Sequence, residues 1–112
     1  MQFVCQYTLT IVNETFYLSA MDYIRAKYDL VIFLILSDDL DWCRKHFIAP
    51  DVFHIDGNSP AVDMAIMSLS DMIIIDYGTF SLWGAILSGG EVVLNNQTNL
   101  KVAAEYFGWN YL

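Results

Sequence analysis

Basic residues are scarce in this 112-residue chain: five lysines and arginines stand against 13 acids, for a net charge of −8. That balance excludes the clustered cations a nucleic-acid surface requires. It also makes a freestanding site for a doubly charged nucleotide hard to hold. Cysteine is nearly absent. Cys5 and Cys43 form no CxxC pair, so neither a disulfide framework nor a redox thiol motif is indicated. Both are expected as free thiols, with Cys43 packed on a helix. No apolar run approaches the ~20 residues of a membrane span; the longest, LVIFLIL at 30–36, is the size of a strand. Residues 1–12 lack the basic region and small-residue cleavage site of a signal peptide, so work in a secretory compartment would need a targeting segment beyond this chain. His46 and His54 have no companion at ligand spacing, which disfavours a metal site.

Apolar residues, by contrast, make up 56% of the chain, enough for the core of one domain covering residues 1–112. Residues 14–28 place Tyr17, Met21, Ile24 and Tyr28 on one helical face, with Glu14, Asp22, Arg25 and Lys27 on the wet side. DLVIFLIL reads as a strand buried on both faces. SDDLDWCRKHF reads as a helix capped by Ser37 or Asp38, with Arg44, Lys45 and His46 in the last turn where the dipole favours cations. DVFHIDG at 51–57 is a short alternating strand. The next helix has Ser59 as its cap and Pro60 at its first position. MIIID, the helix TFSLWGAILSGG, EVVLN and the helix LKVAAEYF follow. This alternation, opening and closing on a helix, predicts an α/β fold: a parallel sheet with helices on both faces.

Ligands of open α/β sheets bind where strands end in loops. Three such loops are polar: SDD, DGNSP leading to Asp63, and DYGTFS. In the last, Gly78 permits close backbone approach, Thr79 can cap the helix or donate its hydroxyl, and the first-turn N–H groups suit a phosphate. A turn that merely ends a strand would look the same. No GxGxxG or GxxxxGK[ST] is present, which removes the usual dinucleotide and P-loop readings. SDD is either a carboxylate pair or the acidic first turn of a helix. Asp63 either answers the helix dipole or accepts from backbone donors or a guanine edge. Two Asn-x-Thr sequons, at Asn13 and Asn96, point faintly to a lumenal setting.

Together, FLILSDDLDWCRKHF and DMAIMSLSDMIIIDYGTFSLWGAILSGGEVV resemble the C-terminal, donor-binding half of the alpha-1,2-fucosyltransferases, the galactoside 2-alpha-L-fucosyltransferases. The likeness runs from about Thr15 to Val93, and its most distinctive string is Gly78-Thr79-Phe80, then Trp83, Gly84-Ala85 and Gly89-Gly90. The resemblance implies a Rossmann-like half of a GT-B-type glycosyltransferase. It implies transfer of L-fucose from GDP-L-fucose to the 2-hydroxyl of a terminal galactose on a glycan acceptor, with inversion and without metal or other cofactor. It also implies a place on the lumenal side of the Golgi membrane, through an anchor not present in this chain. Carried over by position, Asp63 would bond the donor's base or ribose. Gly78, Thr79 and Phe80 would cradle the diphosphate, and Ser37 and Asp38 would line the nucleotide pocket. Trp83 is expected to pack rather than to touch ligand, and no catalytic base is identifiable.

There are departures. Ser70 stands where many relatives have Cys, and Asp76 where a small or hydroxyl residue is usual. The family's His-x-Arg-Arg-Gly-Asp motif, which would precede residue 14, is not found, and residues 1–13 contain no Arg. In a metal-free transferase that arginine offsets charge on the departing diphosphate, an effect worth roughly 10²–10³ in rate for a single donor. The expectation is therefore a nucleotide-side fragment or degenerate copy, inactive alone. The alternative is a non-catalytic α/β module that binds nucleotide weakly or serves a partner. A receiver-like signalling domain, with SDD as its acidic pocket, lacks the lysine it would want.

Overall fold

The computed structural model describes residues 1–8, 14–76, 78–95 and 101–111. Asn13 of the first sequon, the whole of the second (residues 96–98) and Tyr77 of the DYGTFS turn lie outside them. The elements are β1 (Gln2–Thr8), α1 (Glu14–Lys27), β2 (Val31–Ser37), α2 (Leu40–His46), β3 (Val52–His54), α3 (Pro60–Leu69), β4 (Met72–Ile75), α4 (Thr79–Ser88), β5 (Glu91–Leu94), α5 (Lys101–Phe107) and β6 (Asn110–Tyr111). Six parallel strands form one sheet in the order β3-β2-β1-β4-β5-β6. This is the Rossmann order, in which the winding reverses between β1 and β4.

The chain thus opens on a strand, not on the helix expected from its sequence. β1 is the middle of the sheet, pairing Val4 with Phe33 on one side and with Met72 on the other. Its signal is weak because glutamines interrupt the apolar run, and Gln6 is nevertheless fully buried. β6 was likewise unexpected, since two residues carry no periodicity.

Two cores flank the sheet. On one face α1 and α2 press Phe16, Tyr17, Met21, Ile24, Cys43 and Phe47 onto Val4, Phe33, Ile35 and Ile74. On the other, α3, α4 and α5 cover Cys5, Leu36, Ile73, Ile75 and Leu94 with Met67, Ala85 and Ala104. Helices on both faces are therefore the observed arrangement, and the all-buried β4 follows from it. Each buried isoleucine there contributes about 1.5–3 kcal/mol. Among the described residues no helix is long and apolar enough to cross a membrane.

Small residues set the distance between elements. Gly84 lies under Met67, which brings α3 and α4 together; a Cβ there would come within 2.5 Å of the Met67 Cε. Trp83, expected to pack, is instead 57% exposed, because the face of α4 that meets the sheet is made of Ser81, Gly84 and Ala85.

Candidate functional site at the carboxyl rim of the sheet

The carboxyl ends of the parallel strands β1, β2, β3 and β4 lie at one rim of the sheet. After β4, Gly78 takes φ 105° and ψ 148°, a region open essentially to glycine alone. Gly78 is itself the N-cap of α4 and has no side chain with which to cap it. The cap foreseen for Thr79 is thus corrected: Thr79 is the first helical residue and is exposed. Ser81 turns inward and donates its hydroxyl to the Gly78 carbonyl at 3.1 Å. The first-turn N–H groups of α4 carry the partial positive charge of a helix start.

Asp63 reaches the rim from α3, whose start is fixed by Ser59 Oγ accepting from Val62 N–H at 3.3 Å, with Pro60 in the first turn. Burial pushes its carboxyl above the ordinary range. Among the described residues no donor is seated on it, so the backbone bonds considered for it do not form.

Tyr7, at the end of β1, joins these pieces. Its ring packs on Phe80 with centroids 5.0 Å apart. Burial first, then the charges of Asp38 and Asp63, push its phenol upward, so both carboxylates stand near it. Tyr7 therefore packs on the start of α4, with Asp38 and Asp63 within electrostatic reach of its phenol. Sequence reasoning missed Tyr7. The alternation of Phe3, Cys5 and Tyr7 against Val4 and Gln6 was the available signal, visible only once residues 2–8 are read as a strand.

Ser37 takes a different part. Its Oγ accepts from Asp39 N–H at 2.9 Å, and Asp39, not Ser37 or Asp38, caps α2 by accepting from Trp42 N–H at 3.2 Å. With Asp38, Asp39, Asp41, Arg44 and Asp56, Ser37 lines an open hollow of about 360 Å³ beside the Tyr7 cluster. Arg44 is engaged there, by Asp56 at 2.9 Å and Asp41 at 3.3 Å. At the end of β4, Asp76 is pushed upward by burial while a hydrogen bond with Asn95 acts the other way. The rim is therefore strongly acidic.

The remaining candidates serve structure. His46 donates from Nδ1 to the Trp42 carbonyl at 2.8 Å, and His54 from Nε2 to the Phe47 carbonyl at 3.0 Å. Cys43 is buried, and burial pushes the Cys5 thiol up to about 12, which keeps it protonated. Ser70, the departure from many relatives, is buried and donates its hydroxyl to the Ile66 carbonyl at 2.8 Å, at the end of α3.

The chain matches the sequence profile of glycosyl transferase family 11 over residues 2–112. It is similar to the mouse galactoside 2-alpha-L-fucosyltransferase Sec1, 41% identical over 80 residues that make up 66% of this chain and 22% of that protein. It is similar to the bovine galactoside alpha-(1,2)-fucosyltransferase 2, 39% identical over 79 residues, 66% of this chain and 23% of that one. An Escherichia coli alpha-1,2-colitosyltransferase is 35% identical over 80 residues, 67% of this chain and 28% of its own. The similar stretch thus spans about a quarter of the length of these relatives. No solved structure matches. With the profile running from the central strand to the last residue, the chain belongs to glycosyl transferase family 11.

Proposed function

We propose that this chain forms the donor-nucleotide side of a galactoside 2-alpha-L-fucosyltransferase. That enzyme would take GDP-L-fucose and transfer L-fucose, with inversion and without metal, to the 2-hydroxyl of a terminal galactose. The observation that carries the reading is the convergence of the α4 start with Asp63 and Asp38 at one rim, in a chain of this family. Asp63 accepts from the N–H edge of guanine or from ribose hydroxyls. The N–H groups that follow Gly78, at Thr79 and Phe80, hold the diphosphate. Ser37 and Asp38 border the nucleotide pocket. Fucose is the sugar proposed because two of the relatives are named as fucosyltransferases, although the bacterial relative is named for colitose. The setting proposed is the Golgi lumen, by likeness to the animal enzymes.

Catalytic power is another matter. Charge growing on the departing GDP needs a cation, and residues 1–13 supply no arginine. Arg44 is engaged by two carboxylates. The engagement of Arg44 favours a second reading, in which this α/β unit binds nucleotide or a partner without turnover. Calorimetry with GDP, ADP and UDP tests the site: GDP is expected to bind in preference, and equal binding of all three, or none at millimolar GDP, would refute the assignment. Incubation with GDP-fucose and a lactose-type acceptor separates the two readings. No turnover is expected from this chain alone.

A further inference from the structure

We infer that Tyr7 is the surface on which the nucleobase of the donor packs, and that it makes the site prefer a purine to a pyrimidine nucleotide. The inference rests on the donor-site reading above and adds to it a residue outside the family strings.

β1 and β4 are the neighbours between which the winding reverses, the place where such sheets leave a crevice for ligands. Alternation along β1 sends Val4 to the α1 face and Cys5 and Tyr7 to the face covered by α3 and α4. The Tyr7 ring therefore stands in the crevice, against Phe80 at the α4 start and on the side of Asp63. Its position is fixed twice. Phe80 supports the ring at 5.0 Å with a 40° tilt, and the Tyr17 hydroxyl, from the opposite face, donates to the Tyr7 carbonyl at 3.1 Å. The residue is only half-buried, at the edge of the core that α3 and α4 cover.

The chemistry of this place selects a planar group with N–H donors on its edge. Tyr7 offers a π-face, and Asp63 offers a carboxylate on which, among the described residues, no donor is seated. Phosphate, by contrast, meets helix N–H groups amid Asp38, Asp56 and Asp76. Stacking on an aromatic ring is sequence-tolerant but grows with the area of the base, so a purine gains more than a pyrimidine.

The test is calorimetric titration of the whole chain, as wild type, Tyr7→Phe and Tyr7→Leu, with GDP, UDP and inorganic pyrophosphate. Tyr7→Phe should bind GDP within about twofold of wild type, because the ring remains. Tyr7→Leu should lose about tenfold or more for GDP, the scale of base–aromatic stacking. It should lose less for UDP and leave pyrophosphate unchanged. Pyrophosphate affinity falling in step with GDP would mean that Tyr7 only supports the fold, and unchanged GDP affinity in Tyr7→Leu would overturn the inference while leaving the donor site standing. Absence of GDP binding by the wild type would overturn both. Should the Leu variant not fold, NMR of the wild type decides. The Tyr7 ring protons should shift upfield with GDP and not with pyrophosphate, and no shift with GDP would overturn the inference.

Discussion

Gly90 lies so close to Asp71 that a methyl group built on its α-carbon would run into the Asp71 carbonyl oxygen. Asp71 itself is tied to β1, accepting from Phe3 N–H through its carboxylate and donating its own N–H to the Phe3 carbonyl, both at 2.8 Å. Backbone so anchored cannot yield cheaply. Gly89, one residue earlier, is needed for a different reason: it closes α4 at φ 64° with open space around it. Gly90→Ala is expected to cost about 1–3 kcal/mol through the clash, and Gly90→Asn no less. Gly89→Ala should cost about 1 kcal/mol, and Gly89→Asn should recover part of that because Asn visits the left-handed region. Urea unfolding of the four variants checks the contrast.

A second expectation concerns acid. Arg25 holds Asp51 through two bonds of 2.8 Å, and its guanidinium carbon lies 4.9 Å from the centre of the Phe33 ring. The hydrogen bond from Arg25, opposed by burial and aided by its charge, holds the Asp51 carboxyl below its ordinary 3.8. A carboxyl lowered in the folded state adds stability that is complete above the unfolded value, about 3.9. That stability is lost as pH falls through the folded value. Asp51→Asn should therefore be destabilised at pH 7, and the gap to wild type should close below about pH 4. Arg25→Lys, which keeps charge but loses the fork, should cost about 1 kcal/mol. Thermal unfolding across pH 2.5–7 measures both.

The sheet from β2 to β5 was legible in the sequence because each strand there is a short, nearly continuous apolar run between recognisable helix caps. Ser59-Pro60 and Gly89-Gly90 marked helix ends where the structure has them. The central strand was not legible, since a buried Gln6 breaks the pattern by which buried strands are recognised, and burial of an amide depends on partners that sequence does not show. For the same reason Tyr7 was invisible as a candidate. The loops were found, but not their local bonding: three adjacent hydroxyl and carboxylate residues, Ser37, Asp38 and Asp39, can each cap a helix, and only the backbone path selects Asp39. Which candidate side chains share a rim is set by strand order, which the parallel α/β reading left undetermined.

Asp63 should trade stability for binding. Its carboxyl is raised by burial, so the fold disfavours the charged form. The resulting penalty is present above the folded value and vanishes as pH falls below the unfolded one. Asp63→Asn is expected to raise the melting temperature at pH 7 and to leave it unchanged near pH 3. The same substitution replaces a charged acceptor by a neutral amide. It should weaken GDP about tenfold or more, the worth of a hydrogen bond to a charged group. A variant that loses stability at pH 7 would show that Asp63 has a structural donor after all.

Trp83 provides the sharpest contrast between expectation and structure. A tryptophan packed in the core would cost about 3–5 kcal/mol when cut to alanine. Here the side chain stands 57% exposed on α4, with Leu87, one turn later, 58% exposed. The alanine also favours the helix, offsetting some of the contact that is lost. Trp83→Ala should therefore change stability by no more than about 0.5 kcal/mol, the usual range for surface sites. Phe80→Ala, which removes the ring that supports Tyr7, should cost more and weaken GDP as well. Urea unfolding and GDP titration of the two variants side by side test this, and a loss above about 2 kcal/mol for Trp83→Ala would mean that the outer face of α4 is covered in solution.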